Sequence, residues 1–356
     1  MTEMSWRILA KTILVVLVIN GITGGSKANA SALSLRCANE AAYISESRRP
    51  TMLFVGDIMT DGWVRARMER DGPDSVFPPQ YRTLFQNADV VMGNLEMAVS
   101  ERGEANPDKL YSYRGDPGHL SLLADIGVNI VSVANNHTLD FGRDAFADTL
   151  HYLTDYGIKY VGGGADLDEA MRFRIISVGD YKVAFLAASR VIPTVDWYAG
   201  YNRSGIFQAY DPKPLNARIT LAKEEADYVV VYMHWGVMYN TVPEQFQRDM
   251  AYGFIDAGAD LVLGAHPHVL QSFEFYKGKL IAYSLGNFIF ESRAMDIAAL
   301  EVTVGEDGNL SARLHPYHLI RQSVVPMTDQ SALENLRAHL NEISFNAEID
   351  DDFYIR

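Results

Sequence analysis

Six apolar runs in this chain stop in the same way. Met52-Leu53-Phe54-Val55 leads into Gly56-Asp57, Val90-Val91-Met92 into Gly93-Asn94-Leu95-Glu96, and Asn129-Ile130-Val131-Ser132-Val133 into Ala134-Asn135-Asn136-His137. Residues 228–233 lead into His234, Leu261–Ala265 into His266-Pro267-His268, and residues 279–283 into Ser284-Leu285-Gly286-Asn287. A short apolar run without polar alternation reads as a strand buried on both faces. Such strands, separated by helices or long connections, belong to an α/β sheet whose strand ends gather ligands along one edge. Fold and site are therefore constrained by one pattern, in which polar chemistry begins where each apolar run stops.

The intervening segments fit that scheme. Asp116-Pro117 predicts a helix start with proline at the first position, ending before Gly127. Further helices are expected over 144–156, stopping at Gly157, and over 214–226, 243–257 and 331–343. Residues 174–178 and 182–187 read as a hairpin around Gly179-Asp180, and 299–320 as a second one turning at Asp307-Gly308. The stretch 193–211 is rich in aromatics and turns, with Trp197, Tyr198, Tyr201, Phe207 and Tyr210, and is expected to wall a cleft or simply to pack. His266 and His268 stand at i and i+2, and Pro267 favours an extended form that would point both rings to one side. The acidic end, Asp350-Asp351-Asp352, reads as a solvated tail.

With 356 residues and no internal repeat, one large domain over 50–325 is the simplest organisation, followed by a C-terminal helix and acidic tail over 326–356. Residues 1–30 have the grammar of a secretory signal peptide: Arg7 and Lys11, an apolar core over 12–19, and Ala28-Asn29-Ala30 as the cleavage site. Export to the periplasm or cell surface is expected, with an uncleaved N-terminal membrane anchor as the alternative, and 31–49 form an N-terminal extension. The formal charge is −14, and loss of residues 1–30 leaves 28 basic against 44 acidic residues, a net −16. That balance excludes a nucleic-acid surface and would repel a polyanion at long range unless metal ions or a local basic patch reverse the field. Cys37 is the single cysteine, so no internal disulfide forms and stability must come from the core.

The run ends supply Asp57, Asn94, Glu96, Asn136, His137, His234, His266 and His268. Singly, an acid at a strand end is a turn or cap residue, and His234 beside Trp235 is a satisfied core histidine. Independent turn chemistry, however, has no reason to place acids, amides and imidazoles after successive buried strands. The ensemble reads as a metal site. Oxygen ligands mixed with imidazoles, without thiolate, suit one or two divalent ions such as Mn, Fe or Zn and disfavour copper(I). Two ions about 4 Å apart polarise a scissile group and lower the pKa of a bridging water.

The ordered blocks Gly56-Asp57-Ile58-Met59, Gly93-Asn94-Leu95-Glu96, Asn135-Asn136-His137 with Asp140 and Gly142, His234-Trp235-Gly236, Gly264-Ala265-His266-Pro267-His268-Val269 and Ser284-Leu285-Gly286-Asn287-Phe288 make the chain resemble the CapA family of poly-gamma-glutamate capsule proteins. That family looks like a branch of the calcineurin-like metallophosphoesterases. The resemblance covers about residues 50–320 and implies a four-layer α/β/β/α sandwich. It also implies Asp57 and His268 on one ion and Asn136, His234 and His266 on another. His137 would be the general acid, oriented by Asp140, with Asn94 and Asn287 toward substrate. Two positions depart from the phosphoesterase pattern. Met59 replaces a histidine ligand, and Asn94 replaces a bridging aspartate, which leaves Glu96 to bridge or a single ion to be bound.

The leading expectation is an exported metal-dependent hydrolase acting in synthesis or processing of an anionic cell-surface polymer such as poly-gamma-glutamate. A phosphoesterase acting on a small phosphoester, and a non-catalytic polymer-binding or export component working with capsule synthesis or export machinery, are the alternatives.

Overall fold

The computed structural model describes residues 49–356, so the expected signal over 1–30, Cys37 and nearly all of the 31–49 extension lie outside the described residues. The first half of the chain runs β1 (Thr51–Ile58), α1 (Gly62–Asp71), β2 (Val90–Leu95), α2 (Leu120–Ile126), β3 (Ile130–Ser132), α3 (Gly142–Asp155) and β4 (Lys159–Val161). A second series follows: β5 (Arg174–Val178), β6 (Tyr181–Ser189), α4 (Lys213–Glu225), β7 (Tyr228–His234), α5 (Gln245–Asp256), β8 (Leu261–Ala265), β9 (Phe273–Tyr276) and β10 (Lys279–Ala282). The chain then returns through β11 (Asn287–Ile289), β12 (Met295–Val304), β13 (Leu310–Ile320), β14 (Ser323–Pro326), α6 (Gln330–Ile343) and β15 (Tyr354–Ile355).

These strands build two large sheets. One has nine strands along the path β14-β13-β12-β1-β2-β3-β4, with β11 beside β1 and β15 beside β13; the other has six in the order β9-β10-β8-β7-β6-β5. Strands β1 to β4 are mutually parallel, as are β6, β7, β8 and β10, so their carboxyl ends share an edge within each sheet.

Alternation along the strands explains the layering. In β1, Leu53 and Val55 pack with Val64, Phe146 and Leu150 of the helices on one side, whereas Met52 and Phe54 pack with Phe185, Val230 and Leu263 of the other sheet. In β7, Val229 and Val231 instead meet Leu215, Ile219 and Phe254 of α4 and α5. Helix, sheet, sheet, helix is the resulting order, the four-layer α/β/β/α sandwich that the resemblance implies. Each fully buried Val, Leu or Phe in these layers contributes about 1.5–3 kcal/mol. A buried cross-link joins the sheets where the Tyr232 hydroxyl donates to the Val55 carbonyl at 2.6 Å.

Two expectations give way here. The acidic end is not a free tail: β15 pairs with β13, and Ile349, Phe353 and Ile355 join the core between the sheets, so only the turn carrying Asp351 and Asp352 is solvated. Apolar residues on both sides of the aspartates, spaced to face the sheet, override the charge. The segment 266–268 is also not extended. His266 has φ 98° and His268 φ 60°, both in the left-handed region, against the preference that Pro267 imposes on its predecessor. That bend is over-determined by the backbone around it. Trp235 N–H donates to the Ala265 carbonyl at 3.1 Å, Tyr239 N–H to the Pro267 carbonyl at 2.8 Å, and His266 N–H to Asp57 Oδ2 at 3.2 Å.

Candidate metal centre

Two glycines let the strand ends converge. A Cβ on Gly56 would lie 1.8 Å from the Gly286 carbonyl oxygen, and one on Gly264 would lie 2.0 Å from that of Tyr283. Only glycine permits this closeness. Asp57 N–H then donates to the Gly286 carbonyl at 2.9 Å, and the β1–β2 register shifts between Phe54 and Asp57. Such irregularities re-aim side chains at a strand end.

Six buried or half-buried groups meet there. Glu96, His234 and His266 offer ligand atoms within 4.8 Å of one another, and so do Asp57, Glu96 and His268. Glu96 belongs to both sets. His268 Nδ1 lies 3.2 Å from Asp57 Oδ2 and 4.0 Å from Glu96 Oε2, while His234 Nε2 lies 3.6 Å from Glu96 Oε1. Asn136 Oδ1 adds an oxygen 2.6 Å from His234 Nε2.

Polar atoms left without partners here are placed to meet a cation. Both Glu96 carboxylate oxygens and His266 Nδ1 are buried with no hydrogen-bond partner among the described residues. Each unsatisfied group of this kind costs about 1–3 kcal/mol. A divalent ion between them would supply the missing partner, so the residues fit one or two ions, and oxygen and imidazole donors without thiolate match the expected Mn, Fe or Zn class.

Electrostatics point the same way. Burial, reinforced by Asp57, pushes the Glu96 carboxyl well above the usual range. Burial, followed by the neighbouring His266 and His268, drives His234 well down, and burial takes His266 to about 4. Both imidazoles are therefore neutral near pH 7, the form that binds metal. At His268 burial is outweighed by Asp57, which raises its pKa.

Beside the ligands stands His137. Its Nδ1 is 2.7 Å from Asp140 Oδ2, its backbone N–H donates to Asn135 Oδ1 at 2.9 Å, and the Tyr113 ring lies against it at 4.4 Å. Asp140 accepts from Tyr113 N–H at 2.8 Å and from the Lys109 ammonium, which also donates to the Asn136 carbonyl at 2.5 Å. With Nδ1 engaged on a carboxylate, Nε2 is the ring nitrogen free for proton transfer.

A family model described as bacterial capsule synthesis protein PGA_cap matches residues 51–292. The chain belongs to the PGA_cap family. It is 32% identical over 306 residues, 84% of this chain and 80% of the relative, to the PGA biosynthesis protein CapA of Bacillus subtilis (strain 168). It is 31% identical over 276 residues, 72% of each chain, to a probable polyglutamine synthesis accessory protein of Mycobacterium tuberculosis (strain ATCC 25618 / H37Rv). Among solved structures, a novel phosphatase from Mycoplasma pneumoniae aligns at TM-score 0.46 and 12% identity, covering 81% of this chain and 97% of that one.

In this PGA_cap member, the structure thus brings Asp57, Glu96, Asn136, His234, His266 and His268 together, with His137 and Asp140 alongside. Asn94 and Asn287 are turned inward. Asn94 Nδ2 donates to Asp57 Oδ1 at 2.8 Å and lies 3.2 Å from His234 Nδ1, and its Oδ1 accepts from Asn135 at 3.1 Å. Every polar atom of that side chain is engaged within the protein, on Asp57, His234 and Asn135. Asn287 Oδ1 likewise holds His268 Nδ1 at 2.9 Å. Met59 is fully buried, its sulfur accepting from Asp61 N–H at 3.0 Å, and Asp57, Glu96 and His268 are the residues on that side that could hold an ion. Lys109, Tyr113 and Asn135 are the groups that sequence reading did not assign to the site. Lys109 and Tyr113 come from an irregular segment without periodicity, and only their contacts reveal them.

Proposed function

We propose that this protein is an exported metal-dependent hydrolase acting in the synthesis or processing of an anionic cell-surface polymer such as poly-gamma-glutamate. The names of its relatives, PGA biosynthesis protein and polyglutamine synthesis accessory protein, support the polymer. One observation carries the hydrolytic part: Glu96, buried with both oxygens unpartnered, is shared by two groups of ligand residues.

Asp57, Glu96 and His268 would hold one ion, and Asn136, His234 and His266 with Glu96 the other. When bound, such ions supply Lewis-acid polarisation of a scissile carbonyl and a nucleophile at neutral pH. The chain's own groups serve the other half of an amide hydrolysis, protonation of the leaving nitrogen. His137 holds its Nδ1 on Asp140 and offers Nε2 to that nitrogen, with Tyr113 fixing the plane of the ring. Asn94 and Asn287 keep His234 and His268 in orientation.

The test is incubation of metal-loaded protein with poly-gamma-glutamate while following chain length by gel filtration, with His137→Ala as control. Shortening by the wild type and at least a hundredfold less by the variant is expected. Failure to shorten the polymer with any of Mn, Fe or Zn, in protein that carries metal by elemental analysis, overturns the reading. Export is tested by N-terminal sequencing of protein recovered outside the cytoplasm. A mature start at Ser31 is expected, and recovery only from the cytoplasm with Met1 retained overturns it.

A further inference from the structure

One guanidinium beside the strand that carries His234 lacks an acidic partner. Arg190 directly follows β6, and its backbone N–H donates to the His234 carbonyl at 2.8 Å, one ladder step from a proposed ligand. Along β6, Phe185 and Ala187 face the other sheet while Ala184, Leu186 and Ala188 face the α4 and α5 layer. Arg190 continues the second series. Its guanidinium lies 4.3 Å from the Phe246 ring centroid and 5.0 Å from that of Tyr210.

Arg82, Arg102, Arg143 and Arg248 pair with Asp74, Asp148, Asp196 and Glu274, whereas Arg114, over the Phe141 ring, shares with Arg190 an unpartnered Nε but donates from Nη2 to the Gly103 carbonyl. Arg190 is half-buried, its Nε has no hydrogen-bond partner, and no ion pair to it forms among the described residues. The bland alternative is a cation–π contact that merely fastens a loop, worth about 0.5–1 kcal/mol. Two features favour a ligand. Packing against rings occupies the faces of a guanidinium and leaves its in-plane donors for a planar oxyanion. A chain of formal charge −14 also needs a local cation wherever it holds a polyanion.

We propose that Arg190, backed by Tyr210 and Phe246, is an oxyanion subsite that binds a carboxylate of the polymer chain some residues away from the bond at the metal ligands. This rests on the polymer reading above. Arg190 and the His234 ring project from opposite faces of the same sheet, so a single glutamate unit does not reach both, whereas a polymer draped over the strand rim does. Affinity should therefore rise with chain length through Arg190.

The experiment measures binding of fluorescent poly-gamma-glutamate of graded lengths to the full chain, stripped of metal, by anisotropy. Arg190→Gln is expected to weaken long-polymer binding about tenfold or more and to flatten the length dependence. Arg190→Lys, which keeps charge without the planar fork, should recover only part, and Phe246→Leu should weaken binding with the charge intact. Wild-type affinity in Arg190→Gln overturns the subsite. If that variant does not fold, wild-type affinity and length dependence in both Arg190→Lys and Phe246→Leu do the same. Inorganic phosphate, as a small oxyanion, separates the two readings. Phosphate binding that is lost in Arg190→Gln, with no polymer bound by the wild type, upholds the oxyanion subsite and overturns the polymer.

Discussion

A carboxylate stripped of hydrogen bonds inside a protein is held against its own solvation, and Glu96 is held that way between three imidazoles and Asp57. Removing its charge should therefore cost more metal than removing any one histidine. Elemental analysis should find Glu96→Gln depleted on both sides, His268→Ala on the Asp57 side and His266→Ala on the His234 side; equal losses in all three would refute the shared role. Lys109 tests positioning rather than contact. It ties Asp140 to the Asn136 carbonyl, so Lys109→Met should lower kcat for polymer cleavage about tenfold with little change in KM, and Lys109→Arg should restore part of it. A variant that melts earlier yet keeps its kcat would make Lys109 purely structural. Neither Lys109 nor the left-handed φ of His266 and His268 was legible in the sequence. The first is brought in by loop geometry without a periodic signal, and the second opposes the local preference that Pro267 sets, because tertiary hydrogen bonds outweigh it.

Among the elements, the long apolar strands were the legible part, since buried parallel strands leave continuous hydrophobic runs whose ends mark the site. Helix α1 was not. Only Val64 and Met68 of Gly62–Asp71 are buried, too few to draw an apolar stripe through Arg65, Arg67, Glu69 and Arg70. Helix α5 illustrates how an outer layer is fastened. Its start carries a reciprocal capping box between Glu244 and Gln247, and its Arg248 reaches β9, donating to both oxygens of Glu274 at 2.9 and 3.2 Å. Tyr252 and Tyr283 hydroxyls donate to the same carboxylate at 2.5 and 2.8 Å. Burial alone would raise the Glu274 pKa, but these donors outweigh it and hold it below the ordinary value. A depressed carboxyl stabilises the fold above its unfolded pKa and loses that contribution as pH falls through the folded one. Glu274→Gln should thus lower the thermal midpoint at pH 7, by about 2 kcal/mol in stability, and the gap to wild type should narrow toward pH 3. A gap independent of pH would mean that packing, not charge, is what the variant loses.

At the scale of the molecule, the proposed ligands divide between the two sheets. Asp57, Glu96 and Asn136 lie in or just after strands of the first, and His234, His266 and His268 at or just after the ends of strands of the second. A bound ion is then a clasp between layers as well as a reagent, and its binding energy is folding energy. Saturation at a hundred times Kd adds about 2.7 kcal/mol, so chelation should lower the thermal midpoint by several degrees in the wild type and by much less in Glu96→Gln. An identical drop in both proteins would assign the effect to ions elsewhere. The same division has a consequence for when the centre comes into being. Its first and last proposed ligands, Asp57 and His268, lie more than two hundred residues apart in the chain, so no length of it that stops short of residue 268 contains the set. A chain delivered across a membrane before folding would arrive without its ion. The metal it acquires would then be set by what is abundant where folding finishes, and not by the pool where the chain is made.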